Sequence, residues 1–339
     1  MTDTIQKDIP LAPYTTFGIG GVADFFVSVD SFDAVREACQ WAQANNQPIQ
    51  ILGHGSNVLI SDEGVRGLVI HMAVHGVTYT DTPAGVLVTA GAGVVFDDLV
   101  ADTVARGLWG LENLSAIPSS VGAAPVQNIG AYGAEVATMI TEVAIYDYAT
   151  NETRRLSGHE CAFGYRDSIF KKEVAASWVV TQVTFLLHTE GGPNIAYKDL
   201  AHHFDGNDMP TCAHVRDAVI AIRSQKFPDW STEGNAGSFF KNPVIPRVQY
   251  AELIERYPDM PGFPTDDGHI KTSTAWILDH ILHSKGVQEG SVRLYERQPL
   301  VLVNCGGATA TEVAGFAQSI ADRVQECCGI ALEWEVTQI

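Results

Sequence analysis

Val35, Ala38, Cys39 and Ala42 recur at i, i+3, i+4 and i+7, which is one face of a helix. Ser31 stands where its hydroxyl can cap the first turn, and Pro48 cannot continue the helix. Asp24 to Val29 before it and Ile49 to Leu52 after it read as strands, giving a strand–helix–strand unit. Leu68 to Met72 and Val86 to Ala90 extend the sheet. Val95, Leu99, Ala101 and Val104 mark a second helix. Val143 to Tyr148 alternates, Thr150-Asn151 turns the chain, and Trp178 to Leu187 reads as a long strand. A polar, Gly- and His-rich break covers 188–213. Beyond it Val215, Ala218, Val219 and Ile222 form a helical face that Phe227-Pro228 stops. The pattern then predicts a helix around Thr274–Ile281, a strand over Leu300–Val303, a helix over Thr311–Cys327 and a last strand over Ala331–Val336. This mixture predicts an α+β and α/β chain, with boundaries near residues 72 and 210.

Composition narrows the class. The 339 residues are 46% hydrophobic and 18% charged, which is globular rather than disordered. The formal charge is −19, from 21 basic and 40 acidic residues. Such a balance argues against nucleic acid as a partner, because those binders spread basic charge over a face. It also means that an anionic ligand must be held by a few concentrated cations. Six cysteines are scattered without a C-x-x-C pair, so no metal site is expected and a reduced, cytoplasmic setting fits. The segment MTDTIQKDIPLAPY has no basic and apolar leader pattern, and no stretch approaches the ~20 apolar residues of a membrane span.

Several short stretches carry candidate chemistry. Gly18-x-Gly20-x-x-Ala23 superficially matches a dinucleotide fingerprint, but no strand precedes it and no helix follows. Gly53-His54-Gly55-Ser56-Asn57 follows a strand directly. It is either a plain turn or a phosphate cradle of backbone N–H groups with a hydroxyl and an amide. Residues 107–135 are dense in Gly, Ala, Pro and Asn yet interleaved with Leu, Ile and Val. They suit either a compact loop or a backbone passing close to a large flat ligand. Gly234-Asn235-Ala236-Gly237-Ser238-Phe239-Phe240-Lys241-Asn242-Pro243 places Ser238 in or beside a tight turn, with a cation and an amide at hand. That set suits a polyoxygenated anion, although an ordinary surface turn has the same composition. In Ala331–Val336 strand alternation would put Glu333 and Glu335 on one face.

Taken in order, YTTFGIGG, LGHGSNVLI, SSVGAAPVQNIGAYG, GYRDSIFK, RSQKFPD, GNAGSFFKNP, KTSTAWILDH and LEWEV resemble the UDP-N-acetylenolpyruvoylglucosamine reductase (MurB) family over essentially the whole chain. The resemblance implies a two-part FAD-binding region of the PCMH/vanillyl-alcohol-oxidase type, 1–72 and 73–210. A C-terminal α/β substrate-binding domain, 211–330, would follow, and then a strand, 331–339, carrying Glu335. It implies non-covalent FAD, NADPH as co-substrate, and a UDP-sugar enolpyruvyl ether that receives hydride at C3 and a proton at C2. By the same resemblance Ser238 is the proton donor, Arg166 binds the substrate carboxylate, and Glu335 assists. Gly53, Gly55, Ser56 and Asn57 resemble the flavin diphosphate loop, with Ile117, Gly122, Ala123, Gln127, Asn128 and Gly130 on its other side. Tyr197, Arg223, Lys226, Lys241 and Asn242 fall to the uridine diphosphate. A monomer is expected. Ser119, Ala275 and Trp334 depart from the family pattern. The alternative reading is a flavin-dependent oxidase of the same fold, and a third is a flavin binder without catalysis.

Overall fold

The structure is a computed structural model and describes residues 5–205 and 209–339. Met1–Thr4 of the segment read for a leader, and Gly206–Asp208 of the polar break, lie outside the described residues. In chain order the first elements are β1 (Gln6–Pro10), β2 (Val22–Val29), α1 (Phe32–Ala44), β3 (Ile49–Leu52), β4 (Val58–Leu59), β5 (Val65–Met72), β6 (Val77–Thr82), β7 (Gly85–Gly91), α2 (Phe96–Ala105), α3 (Ala124–Gln127), β8 (Gly130–Ala131), β9 (Ala134–Glu135), β10 (Ile140–Asp147), β11 (Glu152–Ser157) and β12 (Trp178–Leu187). They continue with α4 (Lys198–His203), α5 (Cys212–Lys226), β13 (Gly234–Ser238), β14 (Val244–Ile245), α6 (Arg247–Arg256), β15 (Gly262–Pro264), β16 (Ile270–Thr272), α7 (Thr274–Trp276), β17 (Gln288–Glu289), β18 (Val292–Leu294), β19 (Val301–Asn304), α8 (Ala310–Cys328) and β20 (Thr337–Gln338).

The chain forms two compact units. One contains the residues up to Ile9, Ala23–His54 and Val65–Ser224; the other contains Pro10–Val22, Gly55–Gly64 and Gln225–Ile339. The division is thus not linear. The flavin-loop candidates split after His54, and the later boundary falls after Ser224, where the sequence pattern places it near 210.

The first unit carries two sheets. One has the order β1-β2-β5-β3, with β2 and β3 both parallel to β5. Ser31 caps α1 by accepting the Ala34 N–H, and the helix buries Val35, Ala38, Cys39 and Ala42, the face that periodicity marked. It ends at Asn45, before Pro48 is reached. The other sheet, β11-β10-β12-β7-β6, is antiparallel. Val88, Ala90, Val143, Ile145, Val183 and Phe185 from its inner face pack with Leu99 and Val100 of α2. Each such fully buried side chain contributes about 1.5–3 kcal/mol.

The second unit has the sheets β13-β19-β18-β17 and β14-β16-β15. Its core joins Phe239, Phe240 and Leu302 to Val313, Phe316, Ile320 and Val324 of the 19-residue α8. That helix begins with a capping box between Thr309 and Glu312 and ends at Gly329 in the left-handed region.

Three expectations change. Gly234–Ser238 is a strand with a bulge rather than a turn. The helix expected around Thr274–Ile281 is one α turn, α7, continued as a π-helical turn over Ile277–Ile281. Ala331–Val336 is no strand. It makes a single bridge, Phe240 with Trp334, and ladder pairing resumes only at β20, parallel to β4.

Candidate active site

Ser238 ends β13, whose pairing with β19 slips between Asn235 (opposite Val303) and Ser238 (opposite Val301). The extra residue needs a positive φ, and Gly237 supplies it at 70°. A glycine cluster marks a bulge as readily as a turn, because both demand that backbone region. Asn235 is buried. Its Oδ1 accepts the Gly237 N–H at 3.0 Å and its Nδ2 donates to the Glu233 carbonyl at 2.8 Å. The half-buried Ser238 hydroxyl makes no hydrogen bond among the described residues.

Past Ser238 the chain runs beside its own C-terminus. The Glu335 N–H donates to the Phe239 carbonyl at 2.8 Å and the Lys241 N–H to the Glu333 carbonyl at 2.9 Å. This pairing brings Glu335 opposite Phe239, next to Ser238. Glu333 is taken by Lys241, whose Nζ lies 2.9 Å from its carboxylate. Of the two acids the alternation grouped together, the exposed one is therefore ion-paired, and Glu335 is the half-buried one. The Glu335 carbonyl accepts from Asn57 Nδ2 at 3.0 Å, and the Asn57 carbonyl accepts the Thr337 N–H at 3.0 Å. Asn57 thus spends its amide on the C-terminal segment. Asn242 Oδ1 accepts the Thr274 N–H, and Thr274 Oγ1 donates to the Lys241 carbonyl. Lys271 of β16 pairs opposite Val244 and is a further cation of this stretch that motif reading did not single out.

The cofactor candidates divide between the units. In the second, Gly55 sits at φ 68°, and a Cβ there would lie 2.0 Å from the Tyr14 carbonyl oxygen, so only glycine fits. In the first, a Cβ on Gly53 would come within 2.5 Å of Ser120 Oγ and 3.6 Å of the Ala123 side chain. One on Gly122 would come within 2.6 Å of Ala92 Cβ. Ser120 Oγ is buried and has no hydrogen-bond partner. A backbone stripped of side chains next to an unsatisfied buried hydroxyl is what a polyoxygenated cofactor needs, so these residues fit FAD. Ser120 was not singled out from the sequence, where it is one of a Ser-Ser pair. His54 is half-buried, and that burial lowers its pKa although the nearby Asp98 carboxylate raises it. The neutral imidazole is favoured.

Arg166, Asn128 and Gly130 come together in the first unit. Arg166 adopts φ 53° in the tight turn where Gly164 and Asp167 bridge. Its Nη2 donates to the Gly130 carbonyl at 2.9 Å and its Nη1 to the Asn128 carbonyl at 3.4 Å. Asn128 is buried in the left-handed region at φ 43° and closes α3. Its Nδ2 donates to Gly164 O (2.9 Å) and Glu135 Oε2 (3.0 Å), and its Oδ1 accepts the Ala137 N–H (3.2 Å). The Asn128 side chain therefore ties the turn carrying Arg166 to the Gly-rich run. Gln127 beside it is buried as well.

Arg223, on α5, turns inward. Its Nε donates to the carbonyl of Ala116, just before Ile117, and it faces Tyr132 and Asp97. Burial lowers its pKa, while Tyr132 and Asp97 raise it. Tyr197 precedes α4, is 46% exposed, and meets Tyr132 edge-on at 5.5 Å. Lys226 is the last residue of α5 and half-buried. Arg166, Arg223 and Tyr197 belong to the first unit, and Ser238, Glu335, Lys226, Lys241 and Asn242 to the second.

Comparison with known proteins agrees with this geometry. The family model "FAD binding domain" matches residues 23–157, and the model "UDP-N-acetylenolpyruvoylglucosamine reductase, C-terminal domain" matches 229–339. A UDP-N-acetylenolpyruvoylglucosamine reductase of Neisseria meningitidis serogroup A is 42% identical over 320 residues, covering 93% of this chain and 92% of that one. The protein of the same name from Pseudomonas savastanoi pv. phaseolicola is 39% identical over 338 residues, covering 99% of both. The crystal structure of UDP-N-acetylenolpyruvylglucosamine reductase (MurB) from Thermus caldophilus superposes with a TM-score of 0.68 at 26% identity, over 97% of both chains. With two family models placed in order and relatives of this identity along nearly its full length, the chain belongs to the UDP-N-acetylenolpyruvoylglucosamine reductase (MurB) family.

Proposed function

We propose that the protein reduces UDP-N-acetylenolpyruvoylglucosamine to UDP-N-acetylmuramate with NADPH, using non-covalently bound FAD, as a step of peptidoglycan precursor synthesis. The observation that carries this reading is the pairing of 239–241 with 333–335, which puts an unengaged serine hydroxyl next to a half-buried glutamate. FAD, when bound, supplies the hydride chemistry. Gly53, Gly55, Ser56 and Asn57 hold it, with Ile117, Gly122, Ala123, Gln127, Asn128 and Gly130 along the Gly-rich run.

The chain's own work is binding and proton transfer. Negative charge develops at C2, next to the substrate carboxylate, when C3 is reduced. The Arg166 guanidinium binds that carboxylate, for which its planar fork is suited, and so steadies the developing charge. The Ser238 hydroxyl delivers a proton to C2, and Glu335 supports that transfer as an acid or relay. Lys226, Asn242 and Arg223 hold the diphosphate, and Tyr197 closes over the nucleotide. Lys241 joins them by exchanging the Glu333 carboxylate for a phosphate oxygen. Within the chain, residues 1–72 and 73–210 serve the flavin, 211–330 the UDP-sugar, and 331–339 bring Glu335. The enzyme works as a cytoplasmic monomer, and its product supports cell shape and division. Among the described residues no helix is long and apolar enough to cross a membrane.

The test is Ser238→Ala, followed by anaerobic stopped-flow absorbance of the flavin. Reduction of FAD by NADPH requires no acid for a substrate carbon and stays near wild type. Reoxidation by the enolpyruvyl substrate requires protonation at C2 and slows by about 10²–10⁴-fold, the usual contribution of a general acid. A substrate half-reaction close to wild type would remove Ser238 from this role and leave Glu335 as the leading donor.

A further inference from the structure

We infer that Thr16 and Asn235 form a positioning pair that sets where the Ser238 hydroxyl points, tied by hydrogen bonds to the cofactor-side residue Gly55. The inference rests on the reading of Ser238 as proton donor. Nothing among the described residues hydrogen-bonds the Ser238 hydroxyl, so its place follows from the backbone it stands on. That backbone is the bulge between Asn235 and Ser238. A bulge has lost ladder hydrogen bonds, and something else must hold its shape.

Asn235 does this from inside. Its side chain spans the irregular stretch, accepting from the Gly237 N–H at 3.0 Å and donating to the Glu233 carbonyl at 2.8 Å. Thr16 holds Asn235 in turn. The Asn235 N–H donates to the Thr16 carbonyl at 3.0 Å, and Thr16 Oγ1 donates to the Asn235 carbonyl at 2.7 Å. Both residues are buried, at 4% and 6% exposure, so none of these bonds is weakened by competing water. The Thr16 N–H donates to the Gly55 carbonyl at 3.1 Å, and Gly55 is itself pressed against the Tyr14 carbonyl. An unbroken series therefore runs Gly55, Thr16, Asn235, Gly237, Ser238, all within the second unit. The close pass is enforced at the next residue too, since a Cβ on Gly234 would lie 2.4 Å from the Phe17 carbonyl oxygen. This gives the YTTFG segment a task that no ligand contact assigns it: it is the spacer between the cofactor loop and the proton donor.

Three variants of the flavin-loaded enzyme test this by measuring the two half-reactions separately, with NADPH and with UDP-N-acetylenolpyruvoylglucosamine. Thr16→Val keeps the shape and deletes the hydroxyl, Thr16→Ser restores it, and Asn235→Asp keeps the acceptor while losing the donor. A displacement of about 1 Å from reacting geometry costs roughly 10²-fold, so Thr16→Val and Asn235→Asp are expected to slow the substrate half-reaction by about 10- to 100-fold. NADPH reduction should stay near wild type, and Thr16→Ser should recover most of the loss. Combined with Ser238→Ala, Thr16→Val should add almost nothing, because both act on one proton transfer. Equal slowing of both half-reactions, loss of flavin, or a full additional effect in the Ser238→Ala background would overturn the inference and make the pair a general fold element. Unchanged kinetics would overturn it as well. A wild-type enzyme that reduces its flavin with NADPH but never passes hydride to the enolpyruvyl substrate gives a different pattern, one that refutes the functional reading and this inference with it.

Discussion

Asn128→Ala is the most informative single change in the first unit, because the structure allows its cost to be added up. The wild-type amide satisfies the Gly164 carbonyl, the Glu135 carboxylate and the Ala137 N–H. Gly164 and Ala137 are only half-buried, so leaving each without its partner costs about 1 kcal/mol, the lower end for an unsatisfied group. Asparagine tolerates the left-handed φ of 43° better than alanine, which adds about 1 kcal/mol. The total is about 3 kcal/mol, out of a stability on the order of 5–15 kcal/mol. For a unit of this size that corresponds to a fall in Tm of about 6–12 °C. Near-UV circular dichroism on heating measures it, and a fall under about 3 °C would refute the assignment of Asn128 as the tie.

An isosteric partner, Asn128→Asp, separates chemistry from packing. Its carboxylate would face the Glu135 carboxylate and the Gly164 carbonyl, and only the Ala137 N–H would favour the charge. The folded-state pKa of the new carboxyl is therefore raised above its unfolded value of about 3.9. A raised carboxyl pKa means that stability is fully present below the unfolded value and is lost as pH rises through the folded one. The Tm gap to wild type should accordingly be large at neutral pH and shrink on acidification. A gap independent of pH would show that charge plays no part.

The other predictions follow from single contacts. Burial pushes the Asp97 carboxyl up, but hydrogen bonds from Arg216 and the Ala116 N–H, with the Arg216 charge, outweigh it and hold its pKa below the ordinary value. Arg216→Met should cost about 1.5–3 kcal/mol in urea unfolding at pH 7. Because the folded pKa is depressed, that stabilisation is present above the unfolded pKa of about 3.9 and disappears as pH falls through the folded value; a pH-independent difference would refute the pairing. Lys226→Ala should weaken substrate binding by about 1.5–3 kcal/mol, or roughly tenfold to a hundredfold, in a titration followed by flavin absorbance. Acid precipitation of the purified enzyme should leave all its yellow colour in the supernatant; colour in the pellet would mean a covalent flavin.

What the sequence made legible depends on the range of the interaction behind it. The buried face of α1 and the span of β12 follow from periodicity within a dozen residues, and both stand as read. The Gly-Asn-Ala-Gly-Ser stretch showed where backbone freedom is needed but not why. A turn and a bulge both call for Gly237 at positive φ, and the difference is made by β19, more than sixty residues downstream. Glu333 and Glu335 were equivalent by alternation. They are distinguished by Lys241, 92 residues from Glu333, whose ion pair takes one acid and leaves the other beside Ser238. Asn57 is the sharpest case. A Gly-Ser-Asn loop reads as a ligand cradle whatever its side chains reach, yet the Asn57 amide holds the carbonyl of Glu335, 278 residues away. Local chemistry thus identified the loops that carry function. The register between distant segments decides which atoms in those loops remain open to a ligand, and that register is a property of the packed core of Phe17, Phe239, Phe240 and α8. A substitution in that core can therefore move Ser238 and Glu335 together without touching either.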